Sequence, residues 1–125
     1  MGGRGTYASG NNVSYQYETI GIWKGVKVLK GIGNIHNLPA EAHSSDKYIL
    51  LDKDGNFRVL RVYDKDHYLV LEIAYHREPN ISNAPQIMHF HRYDRNFNRT
   101  PAERLTKEMY DKYKKYFKGL NNAKW

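Results

Sequence analysis

His89 and His91 are separated by one residue within Gln86-Ile87-Met88-His89-Phe90-His91-Arg92-Tyr93, a stretch in which apolar and polar side chains alternate. On an extended strand that spacing sends both imidazoles to one side. The preceding stretch Leu69-Val70-Leu71-Glu72-Ile73-Ala74-Tyr75-His76 alternates as well. Leu69, Leu71, Ile73, Tyr75, Met88 and Phe90 are therefore predicted to face a core, and Glu72, His76, His89 and His91 to share the opposite, solvated face. One carboxylate and three imidazoles on one patch can do two kinds of chemistry, proton transfer and metal ligation.

Cleaving RNA through its own 2′-hydroxyl requires a base for that proton, an acid for the leaving 5′-oxygen and a cation for the charge on phosphorus. Glu72, His76, His89 and His91 supply the acid and base, and Arg61 the phosphate cation. Tyr68 and Tyr93, on the same parity, are placed to stack an unpaired base or donate a hydrogen bond. This chemistry is metal-independent and needs no cofactor. The alternative is a metal site at His76, His89 and His91, with Glu72 as an oxygen ligand. Cupin metal sites also begin with His-x-His, but continue with a Glu a few residues later, where this chain has Arg92, Tyr93, Asp94 and Arg95.

Three further strands are needed to position these residues. Residues 47–52 and 57–63 flank Lys53-Asp54-Gly55-Asn56, whose Asp-Gly pair suits the positive φ angles of a type I′ hairpin. Asp64-Lys65-Asp66-His67 is a second tight turn. A two-residue turn at Lys65-Asp66 would pair Tyr63 with Tyr68 and Arg61 with Val70, leaving Arg61 diagonal to Glu72 with Leu60 and Val62 inward. Arg58 then falls on the core-side parity near the sheet end. Residues 23–31 form a short strand between glycines, and residues 13–23 edge or irregular β structure. The long connection 32–46 carries His36 and His43, which could lie over the sheet as a lid. Residues 94–101 are turn-like.

Thr106 is a good N-cap for a closing helix, with Leu105 and Tyr110 as its hydrophobic staple. Met109, Tyr110, Tyr113, Tyr116, Phe117 and Leu120 recur at helical spacing, and Gly119 stops the helix. The fold predicted is α+β: an antiparallel β-meander of about four to five strands with one C-terminal helix packed on its apolar face, across Leu69, Leu71 and Ile73. Residues 1–12 are a flexible Gly-rich arm and residues 13–125 a single domain. The arm formally fits a myristoylation pattern, but its glycines fit a plain tail.

A chain of 125 residues with 40% hydrophobic content can close one core unaided. It has no cysteine, which removes thiolate catalysis, Cys-based zinc sites and disulfides together. Its net charge of +7 favours polyanionic partners. Much of that charge, at Lys107, Lys112, Lys114, Lys115 and Lys118, belongs to the solvated side of the helix. No apolar run reaches membrane-spanning length and no secretory signal opens the chain, so a soluble protein, cytoplasmic or phage-associated, is expected.

The opening Gly2-Gly3-Arg4-Gly5, the Glu72-Ile73-Ala74-Tyr75-His76 strand, His89-Phe90-His91 and the Leu105-Thr106-Lys107-Glu108 helix start resemble small phage- and prophage-encoded proteins and toxin modules fused to phage head proteins. Those are similar to the barnase, EndoU, colicin and RelE nuclease superfamily. The resemblance covers residues 26–117. It implies catalytic residues on the sheet face, an RNA-cleaving role for the side bearing His76, His89 and His91, and a phage source. The competing class is a non-enzymatic phage accessory or structural protein that binds nucleic acid or a phage or host protein. An enzyme needs its acid and base groups to converge on one phosphate, whereas a binding module spreads cations and aromatics along a groove.

Overall fold

The alternating stretches lie side by side at the centre of one sheet. A computed structural model describes residues 17–31, 37–39, 42 and 45–120. The strands are β1 Tyr17–Trp23, β2 Val26–Gly31, β3 Lys47–Leu51, β4 Phe57–Tyr63, β5 Leu69–His76, β6 Ile87–Arg92 and β7 Glu103–Arg104. Helix α1, Lys107–Tyr113, follows and tightens into a 3₁₀ turn over Lys114–Tyr116. The fold is α+β as predicted, but the sheet has seven strands in sequential order, more than the four to five expected. The members beyond that count are β1, expected only as edge or irregular β structure, and the two-residue β7 at the other edge; β2 falls within the strand expected over residues 23–31. Among the described residues no helix is long and apolar enough to cross a membrane. The glycine-rich arm and the loop histidines His36 and His43 lie outside the described residues.

All neighbours pair antiparallel except β2 and β3, which run parallel through Lys27 opposite Tyr48 and Val28 opposite Ile49. The sheet is therefore mixed rather than a pure meander. A parallel pair needs a crossover connection, which is why residues 32–46 form so long a link. Leu38 and Ala42 of that link are buried on the sheet face opposite α1, against Leu29, Tyr48, Val59, Tyr63, Leu69 and Ala74.

The turns differ from their sequence reading in an orderly way. Type I′ geometry needs positive φ at both central residues. That is met at Lys24 (53°) and Gly25 (81°) between β1 and β2, whereas at Asp54-Gly55 only Gly55 is positive. The β3–β4 loop instead closes on Asp52: its carboxylate accepts from the Asp54 and Asn56 amides, and its carbonyl accepts from Gly55. The same five-residue device recurs from Asp64, whose carboxylate accepts from the Asp66 and Tyr68 amides, and from Asp94, which accepts from Asn96 and Asn98. Each loop has one left-handed residue, at Gly55, His67 and Phe97.

The Asp64 loop is longer than the two-residue turn predicted, and it shifts the register. Tyr63 opposes Leu69, a bulge follows, and Arg61 then stands directly opposite Glu72 rather than diagonal to it. Leu69 consequently packs with Tyr63 in the cluster under the crossover, not under α1 as expected. A second bulge, where Leu50 opposes Val59 but Leu51 opposes Phe57, leaves Arg58 unpaired and exposed.

Beyond these bulges the parity holds. Leu60, Ile73 and Phe90 form one cross-strand row, and with Leu71, Met88, Ile49 and Phe57 they meet Leu105, Tyr113, Tyr116 and Phe117. Each such fully buried side chain contributes roughly 1.5–3 kcal/mol of transfer free energy. Thr106 caps α1 by accepting from the Met109 amide at 3.1 Å, and both staple residues join the core. The α-helix ends at Tyr113, earlier than the stripe suggested, because the 3₁₀ turn rotates Tyr116 and Phe117 inward. Gly119 has φ of 78°, and a Cβ there would run into the Asn56 side chain.

Candidate functional site

Because β5 and β6 pair in simple register, Glu72 stands opposite His91 and Ala74 opposite His89, with His76 one pleat further along. The structure thus brings Glu72, His76, His89 and His91 to one face, together with Arg61 opposite Glu72. Tyr93 is on that face too, under the Arg61 guanidinium at 5.8 Å. Tyr68 is not gathered with them. It sits in the Asp64 loop, four β5 positions or about 13 Å beyond the Glu72–His91 row, with Arg95 over its ring at 4.4 Å and Phe97 beside it. Arg95 also bonds Asp64 and Asp66, which clasps the two loops together.

The expected solvated face is largely enclosed. His89 is fully buried and His91 is only 4% exposed. The returning segment before β7 lies beside β6, with the Thr100 carbonyl on His91 Nδ1 at 2.8 Å and Arg104 opposite His89.

Arg61 and Glu72 form a buried ion pair, Nε to Oε2 at 2.7 Å. The guanidinium also donates to the Leu38 and Pro39 carbonyls, and the Tyr63 hydroxyl donates to Pro39 as well. Burial opposes the Arg61 charge, but Glu72 and the neighbouring Tyr63 and Tyr93 offset it, so the Arg61 pKa is raised. Burial also raises the Tyr63 hydroxyl well above the ordinary tyrosine value, with Arg61 pulling the other way. Tyr93 is raised for the same reason, with Glu72 adding to the shift. The pair's visible task is to pin the crossover to the sheet.

The histidines are differently arranged. His89 Nδ1 lies 2.9 Å from the Ile87 carbonyl, His91 Nδ1 2.8 Å from Thr100 and His76 Nδ1 3.0 Å from Arg77. A carbonyl only accepts, so each Nδ1 carries a proton, and in the neutral form of each ring the lone pair is on Nε2. The rings adjoin, His76 to His89 at 4.6 Å and His89 to His91 at 5.6 Å between centroids, both edge to face. His89 Nε2 is buried and has no hydrogen-bond partner. Desolvation lowers the His89 pKa, and His76 and His91 lower it further, against the opposing effects of the Ile87 carbonyl and Glu78. His89 is thus held neutral.

Glu78 completes the cluster. One ligand atom from each of Glu78, His89 and His91 lies within 4.8 Å of the other two. The carboxylate predicted for this role was Glu72, which is committed to Arg61. Glu78 follows the end of β5, where alternation no longer assigns a side, so strand parity could not find it. The His76-x-Glu78 spacing at a strand end was the available signal.

A cleft of about 1270 Å³ opens on the same face, with His76, Lys30, Lys53, Arg58 and Arg99 in its walls and the Arg61–Glu72 pair in its lining. The sequence reading gave no part to Arg58, Arg99 or Lys30; the β3–β4 bulge frees Arg58, the Tyr93–Arg99 bridge holds Arg99, and Lys30 comes from β2. Compared with known proteins, the chain matches no family model, no curated protein sequence and no solved structure.

Proposed function

We propose that the protein is an RNA-directed phosphodiester-cleaving enzyme that binds its substrate in this cleft and uses His76 as an acid-base group. The observation that carries the reading is the meeting of a basic cleft with an accessible imidazole: His76 shares walls with Lys30, Lys53, Arg58 and Arg99. These four cations outnumber Asp52 and Asp54, which line the same depression, while Glu72 is paired with Arg61; the excess of positive charge would attract a phosphate chain. The His76 Nε2 lone pair is free to take a 2′-hydroxyl proton, because its Nδ1 proton is bonded to Arg77. His89 and His91 are too enclosed for that contact, so their part is to frame His76.

The test is incubation of the purified chain with total RNA, beside His76→Gln. Cleavage by wild type, reduced on the order of 10²–10⁴-fold in the variant, is expected for a lost acid-base group. RNA retained in a salt-dependent way without turnover would replace the enzyme with a binding module.

A further inference from the structure

We propose that His89, His91 and Glu78 form a binding site for a divalent first-row transition ion, with Zn²⁺ the best match to two imidazoles and a carboxylate. This goes beyond the RNA reading and stands or falls separately from it. Three independent features support it.

The first is the orphaned nitrogen. A buried imidazole nitrogen without a partner is costly, and His89 Nε2 is the one buried side-chain polar atom among the described residues in that state. A metal ion is a partner that such a lone pair fits.

The second is the fixed tautomer. Ligating histidines characteristically donate their other ring N–H to a carbonyl or carboxylate, which orients the ring and makes the free nitrogen a better donor. Both His89 and His91 do so, to Ile87 and Thr100. Their unprotonated nitrogens are therefore set before any ion arrives.

The third is the carboxylate. Ligand atoms at 2.0–2.1 Å from a tetrahedral ion stand roughly 3.3 Å apart, and the three here are within 4.8 Å of one another. The closure required falls on Glu78, whose side chain projects from a turn and has only a 3.4 Å contact from the Asn80 amide. The histidines stay fixed on β6. Three protein ligands leave a coordination position for water; His76 is not among the ligands and meets the His89 ring edge to face.

The experiment uses the full chain, stripped of metal and titrated with Zn²⁺ by calorimetry near neutral pH, with Co²⁺ absorption as a report on ligand geometry. One ion per chain with Kd below about 1 μM is expected. Glu78→Gln, on a surface turn, keeps the fold by circular dichroism and weakens binding at least about tenfold; His91→Gln weakens it further, and His76→Gln leaves it within about twofold. No saturable binding by wild type, or equal binding by Glu78→Gln and His91→Gln, overturns the site; loss of binding in His76→Gln overturns this ligand set. Zn²⁺ bound by a chain that cleaves no RNA would remove the RNA reading alone. Undiminished cleavage by a chain that binds no Zn²⁺ would remove the metal site alone.

Discussion

On the face away from α1, Arg61–Glu72 and His76–His89–His91 are neighbours, joined by the β5 stretch from Glu72 to His76, yet their polar atoms are in opposite states. The first group is tied to named partners: Nε to Oε2, one guanidinium nitrogen to the Leu38 and Pro39 carbonyls, and the Tyr63 hydroxyl to the Pro39 carbonyl. In the second group each ring donates its proton to the backbone and keeps a lone pair in reserve. Closed pairing anchors the crossover. Open valence is what ligand binding or catalysis requires. The difference shows why residue type alone does not mark a site: Glu72 and Glu78 are both carboxylates near histidines, and their partners separate their roles.

The sharpest way to break this comparison is to remove Glu72. Glu72→Ala leaves the Arg61 charge, whose side chain is 13% exposed, without its counterion, and a loss of about 3–5 kcal/mol is expected from breaking a buried pair. Urea denaturation measures it. A change below about 1 kcal/mol would mean that the pair behaves as an exposed one and is not the anchor.

A control on the other side of the sheet is Leu71→Ala. Leu71 is 5% exposed in the core under α1, and truncation should cost about 2–5 kcal/mol. That loss should be additive with Glu72→Ala only in part, because the two are sequence neighbours on one strand. A smaller effect, of about 1 kcal/mol, is expected for Gly55→Ala, which forces a Cβ into the left-handed region with no clash against it. Thermal melting of that variant should drop by a few degrees.

The sequence carried the central pattern because strand parity is a rigid rule. Alternation in the two stretches from Leu69 and Gln86 was enough to put Glu72, His76, His89 and His91 on one side, and Thr106 with Leu105 and Tyr110 to start the helix. Other features depended on what parity does not encode. The five-residue Asp64 loop shifted Leu69 to the other cluster and moved Arg61 from a diagonal to a direct partner of Glu72. The parallel β2–β3 pair, between strands far apart in order of pairing signals, left no trace in local pattern. Burial of His89 and His91 came from the segment returning through Thr100 to β7, a two-residue strand too short to carry alternation. Glu78 lay beyond the strand end, where the rule stops.

The central claim is that chemistry belongs to the histidine half and anchoring to the Arg61–Glu72 half. It is tested most directly by the RNA-cleavage rate of His76→Gln per folded molecule, relative to wild type. A rate lowered on the order of 10²–10⁴-fold in a variant that melts within about 2 °C of wild type is predicted, since His76 is only half-buried and its loss removes an acid-base group. A wild-type rate in that folded variant would contradict the account.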